Sequence, residues 1–173
     1  MSRSRLEEQR VLAIDPTCRG FGFAILEGPE RLLDWGVAHA RKNKRDRCLA
    51  RIAELIRRYE PTVIVAEDGT AKGSRRCPRV LRLLRDVSKL AAENHIIMHS
   101  IPRSKVHRVF SEDSARTKYQ IAKLIAAQFP ELAPRLPPVR KPWMSEDDRM
   151  SIFDALAFAL TFFHFEEQRR KAP

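Results

Sequence analysis

Cysteine is scarce in this 173-residue chain: Cys18, Cys48 and Cys77 are far apart and form no C-x-x-C pair. That argues against a disulfide framework and a thiolate zinc site, and leaves ordinary reduced thiols. Glycine is scarce too, at 6 residues, and together with 43% hydrophobic residues this excludes a fibrous repeat or a disordered chain. No apolar run approaches the roughly 18 residues that a membrane span needs. The opening MSRSRLEEQR lacks the apolar centre of a secretory signal, so a cytoplasmic protein is expected. Acid is the minority charge: 22 Asp and Glu stand against 33 Lys and Arg, a formal net charge of +11. Such an excess favours a polyanionic partner, nucleic acid before membrane.

What is present reads as one domain of alternating elements. Residues 11–14 are an apolar run that meets Asp15-Pro16, and after a turn containing Gly20 residues 21–26 read as a second strand. Residues 31–40 are a third strand, and residues 46–59 carry Leu49, Ile52, Ala53 and Ile56 at helical spacing. Residues 62–66 are apolar and mostly β-branched, as in a strand buried on both faces, and they run straight into Glu67. A helix is expected over residues 74–93, then a strand at 96–98, then a helix capped by Ser114 and running to Phe129. After a proline-rich stretch, the last helix, residues 146–166, is apolar on nearly every side and should pack centrally. The fold class is therefore α/β, a mixed five-stranded sheet flanked by helices. The domain spans residues 11–166, between a flexible basic arm at 1–10 and a basic tail at 167–173.

Three carboxylates sit where they should be costly. Asp15, Glu67 and Asp154 each adjoin the most apolar segments of the chain, and a buried ionised carboxylate needs a cationic partner or a metal. Singly each has an ordinary explanation: a turn starter, loop chemistry, or an ion pair of Asp154 with Arg149. Together they suit phosphodiester hydrolysis, in which two Mg²⁺ or Mn²⁺ ions held by oxygen ligands activate water and stabilise the leaving oxygen.

The segment Ala13-Ile14-Asp15-Pro16-Thr17-Cys18-Arg19-Gly20-Phe21-Gly22 resembles the first motif of the RuvC family of Holliday junction resolvases, and Val63-Ile64-Val65-Ala66-Glu67 resembles its second. Arg103 to His107 and Ser114 to Lys118 resemble the stretch that carries its DNA-contacting lysines, and Asp154-Ala155-Leu156-Ala157 resembles its closing helix. The resemblance implies an RNase H-like fold, metal ligation by Asp15, Glu67 and Asp154, and a homodimer that cuts branched DNA. Two departures stand out. Ser151 occupies the place of a fourth ligand, which leaves Asp147, Asp148 and Glu146 as candidates. In a continuous helix Asp147 would stand about 10 Å from Asp154 along the axis, so it reaches only if the helix begins later or bends. After Glu67, where the family often has an aromatic residue, this chain has the basic, glycine-containing run Gly69-Thr70-Ala71-Lys72-Gly73.

A basic stripe of Arg75, Arg79, Arg82 and Lys89 is expected on the helix after Glu67, with Lys72 and Arg76 at its start. Lys72, Arg75, Arg76, Arg79 and Arg82, with Lys105 and Lys118, are the candidate phosphate contacts. Lys118 is also a candidate for stabilising transition-state charge. The competing readings are a nuclease for structured RNA, a nucleic-acid binder without cleavage, and an actin-like ATPase, which the chain's length opposes.

Overall fold

Strands β1 (Arg10–Pro16), β2 (Gly20–Glu27), β3 (Arg31–His39), β4 (Val63–Glu67) and β5 (Ile97–Ile101) lie in one sheet, in the order β3-β2-β1-β4-β5. The first three form an antiparallel meander, whereas β4 joins β1 in parallel and β5 joins β4 in parallel. The mixed five-stranded sheet expected from the sequence is the one found. This computed structural model describes residues 6–172, so residues 1–5 of the expected N-terminal arm and the last residue of the expected tail lie outside the described residues.

Helices cover both faces. On one lie α1 (Lys44–Tyr59) and α2 (Pro78–Glu93); on the other α5 (Met150–Lys171) crosses the sheet, flanked by α3 (Arg103–Ser111) and α4 (Lys118–Gln128). Alternation along the strands sorts the core into two layers. Leu12, Ile14, Ile64 and Ala66 face α1 and α2, whereas Val11, Ala13, Val63 and Val65 face α5, with Phe153 and Phe158 of that helix. Among the described residues no helix is long and apolar enough to cross a membrane.

Helix boundaries differ from expectation for local reasons. The second helix starts at Pro78, not near 74, because the residue before a proline is driven out of the helical region: Cys77 has φ −70° and ψ 158°. Arg75 and Arg76 therefore belong to the loop after Glu67, not to a helical stripe. The helix expected from Ser114 starts at Lys118; Ser114 has φ +62°, and Thr117 is the cap, accepting from the Gln120 amide while the Gln120 side chain accepts from the Thr117 amide. Helix α3 was not expected from periodicity, being nine residues with only Val106 and Phe110 buried. The last helix begins at Met150 and runs to Lys171, through most of the segment read as a tail. At the other end Leu6, placed by sequence in the arm, is buried in the core.

One close approach sets the position of α5. A Cβ on Gly22 would lie 2.3 Å from the Ser151 carbonyl carbon and 2.3 Å from its Oγ, so the first turn of α5 rests directly on the β2 backbone. Gly22 is the register partner of Asp15 on the neighbouring strand.

Candidate active site

Asp15 and Glu67 continue the alternation of their strands. Val11, Ala13 and then Asp15 face α5, as do Val63, Val65 and then Glu67, and the two carboxylates follow the paired residues Ile14 and Ala66. They therefore stand side by side at the carboxyl ends of adjacent parallel strands, the edge at which open α/β sheets place their sites. Asp154 comes to them from the second turn of α5. All three are buried, at 2%, 4% and 7% exposure for Asp15, Glu67 and Asp154.

Two guanidinium groups lie among the three carboxylates. Arg76 donates from Nη2 to Asp15 Oδ1 at 2.5 Å and from Nη1 to the Pro16 carbonyl at 3.0 Å, and its Nε donates to Glu67. Arg103 donates from Nε to Glu67 Oε1 at 3.1 Å and from Nη1 to Asp154 Oδ1 at 3.3 Å, with Nη2 3.6 Å from Asp15 Oδ1. Its guanidinium carbon also lies 5.4 Å from the ring centre of Phe158, which fixes it over α5. Lys118, the first residue of α4, completes the set, with Nζ 3.0 Å from Asp154 Oδ2 and 2.7 Å from Glu146 Oε1.

The electrostatics follow from this packing. Burial, and then the Asp154 charge, push the Asp15 carboxyl up from its ordinary 3.8 to about 7, against the pull of Arg76, Arg103 and Lys118. Burial works against the charged forms of Arg76, Arg103 and Lys118, but the carboxylates outweigh it and hold all three cations above their ordinary values. Three acids face three bases in a water-poor cluster.

The donor set suits a hard divalent cation, being buried carboxylate oxygens from three separate elements. The space between them is taken, however, by Arg76 and Arg103, and among the described residues no three acidic, His or Cys side chains are grouped to hold an ion. The residues fit a metal in chemistry, and the guanidiniums must withdraw for one to enter.

The remaining sequence candidates fall into separate places. Asp147 does line the 330 Å³ cleft that contains Asp15, Lys118 and Asp154, since α5 begins after it. Its two oxygens are engaged by Arg149, at 2.9 and 2.7 Å, which also means that Arg149 pairs with Asp147 and not with Asp154. Asp148 meets Arg19 at 3.2 Å. Ser151 donates to the Asp148 carbonyl at 2.5 Å and lines the same cleft, with its backbone against Gly22. Lys72, Arg75 and Arg76 line a second cleft of 370 Å³ beside Glu67 and Arg103. Arg79 and Arg82 instead line a small groove with Lys44 and Arg45 of α1. Lys105 lies 5.2 Å from the ring centre of Phe165, on the outer side of α5.

Arg103 is the site residue that sequence reasoning missed. Its signal was its place: Ile101 pairs with Glu67 across β5 and β4, so the residue just after Pro102 emerges beside that carboxylate.

No family model matches the chain, and no curated protein matches it. Solved structures do. RuvC of Thermus thermophilus superimposes with a TM-score of 0.68 at 21% identity, over 92% of this chain and 97% of that one. The same organism's RuvC in complex with a Holliday junction substrate gives 0.65 at 20% identity, over 92% and 96%. The yeast mitochondrial Holliday junction resolvase Ydc2 gives 0.64 at 16% identity, over 95% and 81%. The RNase H-like fold expected from the sequence is thus the fold of this chain, shared with RuvC along nearly its whole length.

Proposed function

We propose that this chain is a RuvC-like endonuclease that hydrolyses phosphodiester bonds in branched DNA. The observation that carries the reading is the convergence of Asp15, Glu67 and Asp154 from β1, β4 and α5 at the carboxyl edge of the sheet, on a fold shared with resolvases. These three side chains would hold Mg²⁺ or Mn²⁺, two ions in the full site, with Asp147 and Glu146 at the cleft wall as further acids. When bound, the ions supply an activated water and neutralise charge on the attacking and leaving oxygens. Lys118, next to the Thr117 cap, presents an ammonium to the same cleft, where it would meet a phosphoryl oxygen. Lys72 and Arg75 stand at the adjoining cleft to hold the strand. A homodimer would match the two-fold symmetry of a four-way junction.

One observation favours a second reading, a branched-DNA binder that does not cleave: Arg76 and Arg103 fill the space among the carboxylates, and Ser151 stands where a fourth would be. Incubation of a four-way junction, a linear duplex and a structured RNA with the protein in Mg²⁺ or Mn²⁺ separates the two. Cleavage of the junction is expected, lost in Asp15→Asn and Asp154→Asn while junction binding persists. Tight junction binding without cleavage in either metal would establish the second reading, and preferential cleavage of RNA would move the substrate.

A further inference from the structure

The 370 Å³ cleft beside the carboxylates has a strongly basic lining. Lys72, Arg75, Arg76, Arg103 and Lys118 all contribute to it, outnumbering its two acids, Glu67 and Asp68, with Ser74 and Ser104 between them. Among the described residues the Ser74 hydroxyl is the buried side-chain polar atom that has no hydrogen-bond partner. The amino end of α3 opens here too: its cap is Pro102, with no side-chain acceptor for the first amides of the helix. Five cations, an unpaired hydroxyl and uncapped amides share one preference, an oxyanion.

Three of the five cations, Arg76, Arg103 and Lys118, are the ones paired with the carboxylates, and Arg76 lines the clefts on both sides. We propose that this cavity binds a backbone phosphate of the nucleic acid, and that its arrival draws Arg76 and Arg103 off Asp15 and Glu67. A guanidinium exchanges a carboxylate for a phosphate with little loss, since both accept its paired N–H groups. The loop has room to follow: Gly73, at φ +87°, has no atom within 4 Å of the place where a Cβ would stand.

Charge makes the exchange selective. With Glu146 on Lys118 the cluster holds four carboxylates and three cations, so a phosphodiester alone adds to the negative excess and a divalent cation alone reverses it, while the two together offset each other. Nucleic acid and metal therefore favour each other's binding, and the coupling is reciprocal. This rests on the reading of the carboxylates as a cation site; the phosphate cavity itself does not.

The test uses the full chain, a short oligothymidylate and no metal at first. The arginine Nε–H resonances of ¹⁵N-labelled protein are followed by NMR during titration. Those of Arg76 and Arg103 are expected to shift to saturation, and Lys72→Ala with Ser74→Ala, both in the loop after Glu67, to weaken that response about tenfold. Binding of Mn²⁺ is then measured by electron paramagnetic resonance, with a several-fold gain in affinity expected when oligothymidylate is present, and in Arg76→Gln without it. Arginine resonances that stay still at saturating oligonucleotide, or a double variant that responds like the wild type, overturn the proposal. If the resonances move while Mn²⁺ binds to no form of the protein, the phosphate site stands and the metal-dependent reading falls. If Mn²⁺ binds equally with and without oligonucleotide and the arginines do not respond, the metal reading survives and this proposal does not.

Discussion

The two faces of the sheet share the same strands and treat charge in opposite ways. Toward α1 and α2, Leu12, Ile14, Ile64 and Ala66 lie in an apolar cluster with residues such as Ile52 and Val87, and ion pairs such as Arg45 with Asp86 stay on the outside. Toward α5 the same two strands end in Asp15 and Glu67, and the covering helix contributes Asp154 amid Phe153, Leu156 and Phe158. Charge is admitted at one edge of one face, and there each acid is matched by a base from a loop or a helix start. Buried acids and bases gathered at one edge in this way are what support the proposed site.

Substitutions on either face test this contrast. The largest loss is expected from the apolar face: Ile64→Ala, at a fully buried position, should cost about 4 kcal/mol in urea unfolding, with no change in junction binding beyond the loss of folded protein. Arg76→Ala should cost roughly 3 kcal/mol at pH 8, because it leaves Asp15 and Glu67 buried with one cation fewer. That cost should shrink at pH 5, where Asp15 takes up a proton; an equal cost at both values would mean that the pair is not electrostatically coupled. A pH series on Asp15→Asn isolates the same charge. Since the carboxyl is raised from 3.8 to about 7, its contribution to stability is fully present below pH 3.8 and is lost as pH rises through 7. Wild type should therefore lose stability relative to Asp15→Asn between about pH 4 and 7, with the difference level above that, and parallel curves would refute the assignment. Thr117→Ala should have the smallest effect, about 1 kcal/mol from the lost cap. It should still lower junction cleavage, since the cap places Lys118.

Much of this was legible from sequence because strand alternation and apolar runs carry both fold and site. The runs before Asp15 and Glu67 revealed strands whose next residue had to be exceptional, and the apolar surroundings of Asp154 did the same for α5. What periodicity could not show were the helix starts. Pro78 and the capping box at Thr117 decide those locally, and moving them took Arg75 and Arg76 off the helix and placed Lys118 at the head of α4. Arg103 stayed hidden because its role depends on the pairing of β5 with β4, a long-range contact that no local pattern encodes. Asp147 illustrates the converse: its place in the cleft follows from the late start of α5, yet its oxygens are taken by Arg149.

The contact of Gly22 with Ser151 has a further consequence. With no side chain between β2 and the first turn of α5, the helix sits on a mechanical stop, and the gap between Asp154 and Asp15 is set by two backbones in touch. A methyl group at position 22 would act as a shim under one end of α5. It would tilt Asp154 away from Asp15 and ease the repulsion that, after burial, raises the Asp15 carboxyl, so a change remote from every charged atom would retune the acidity of the site.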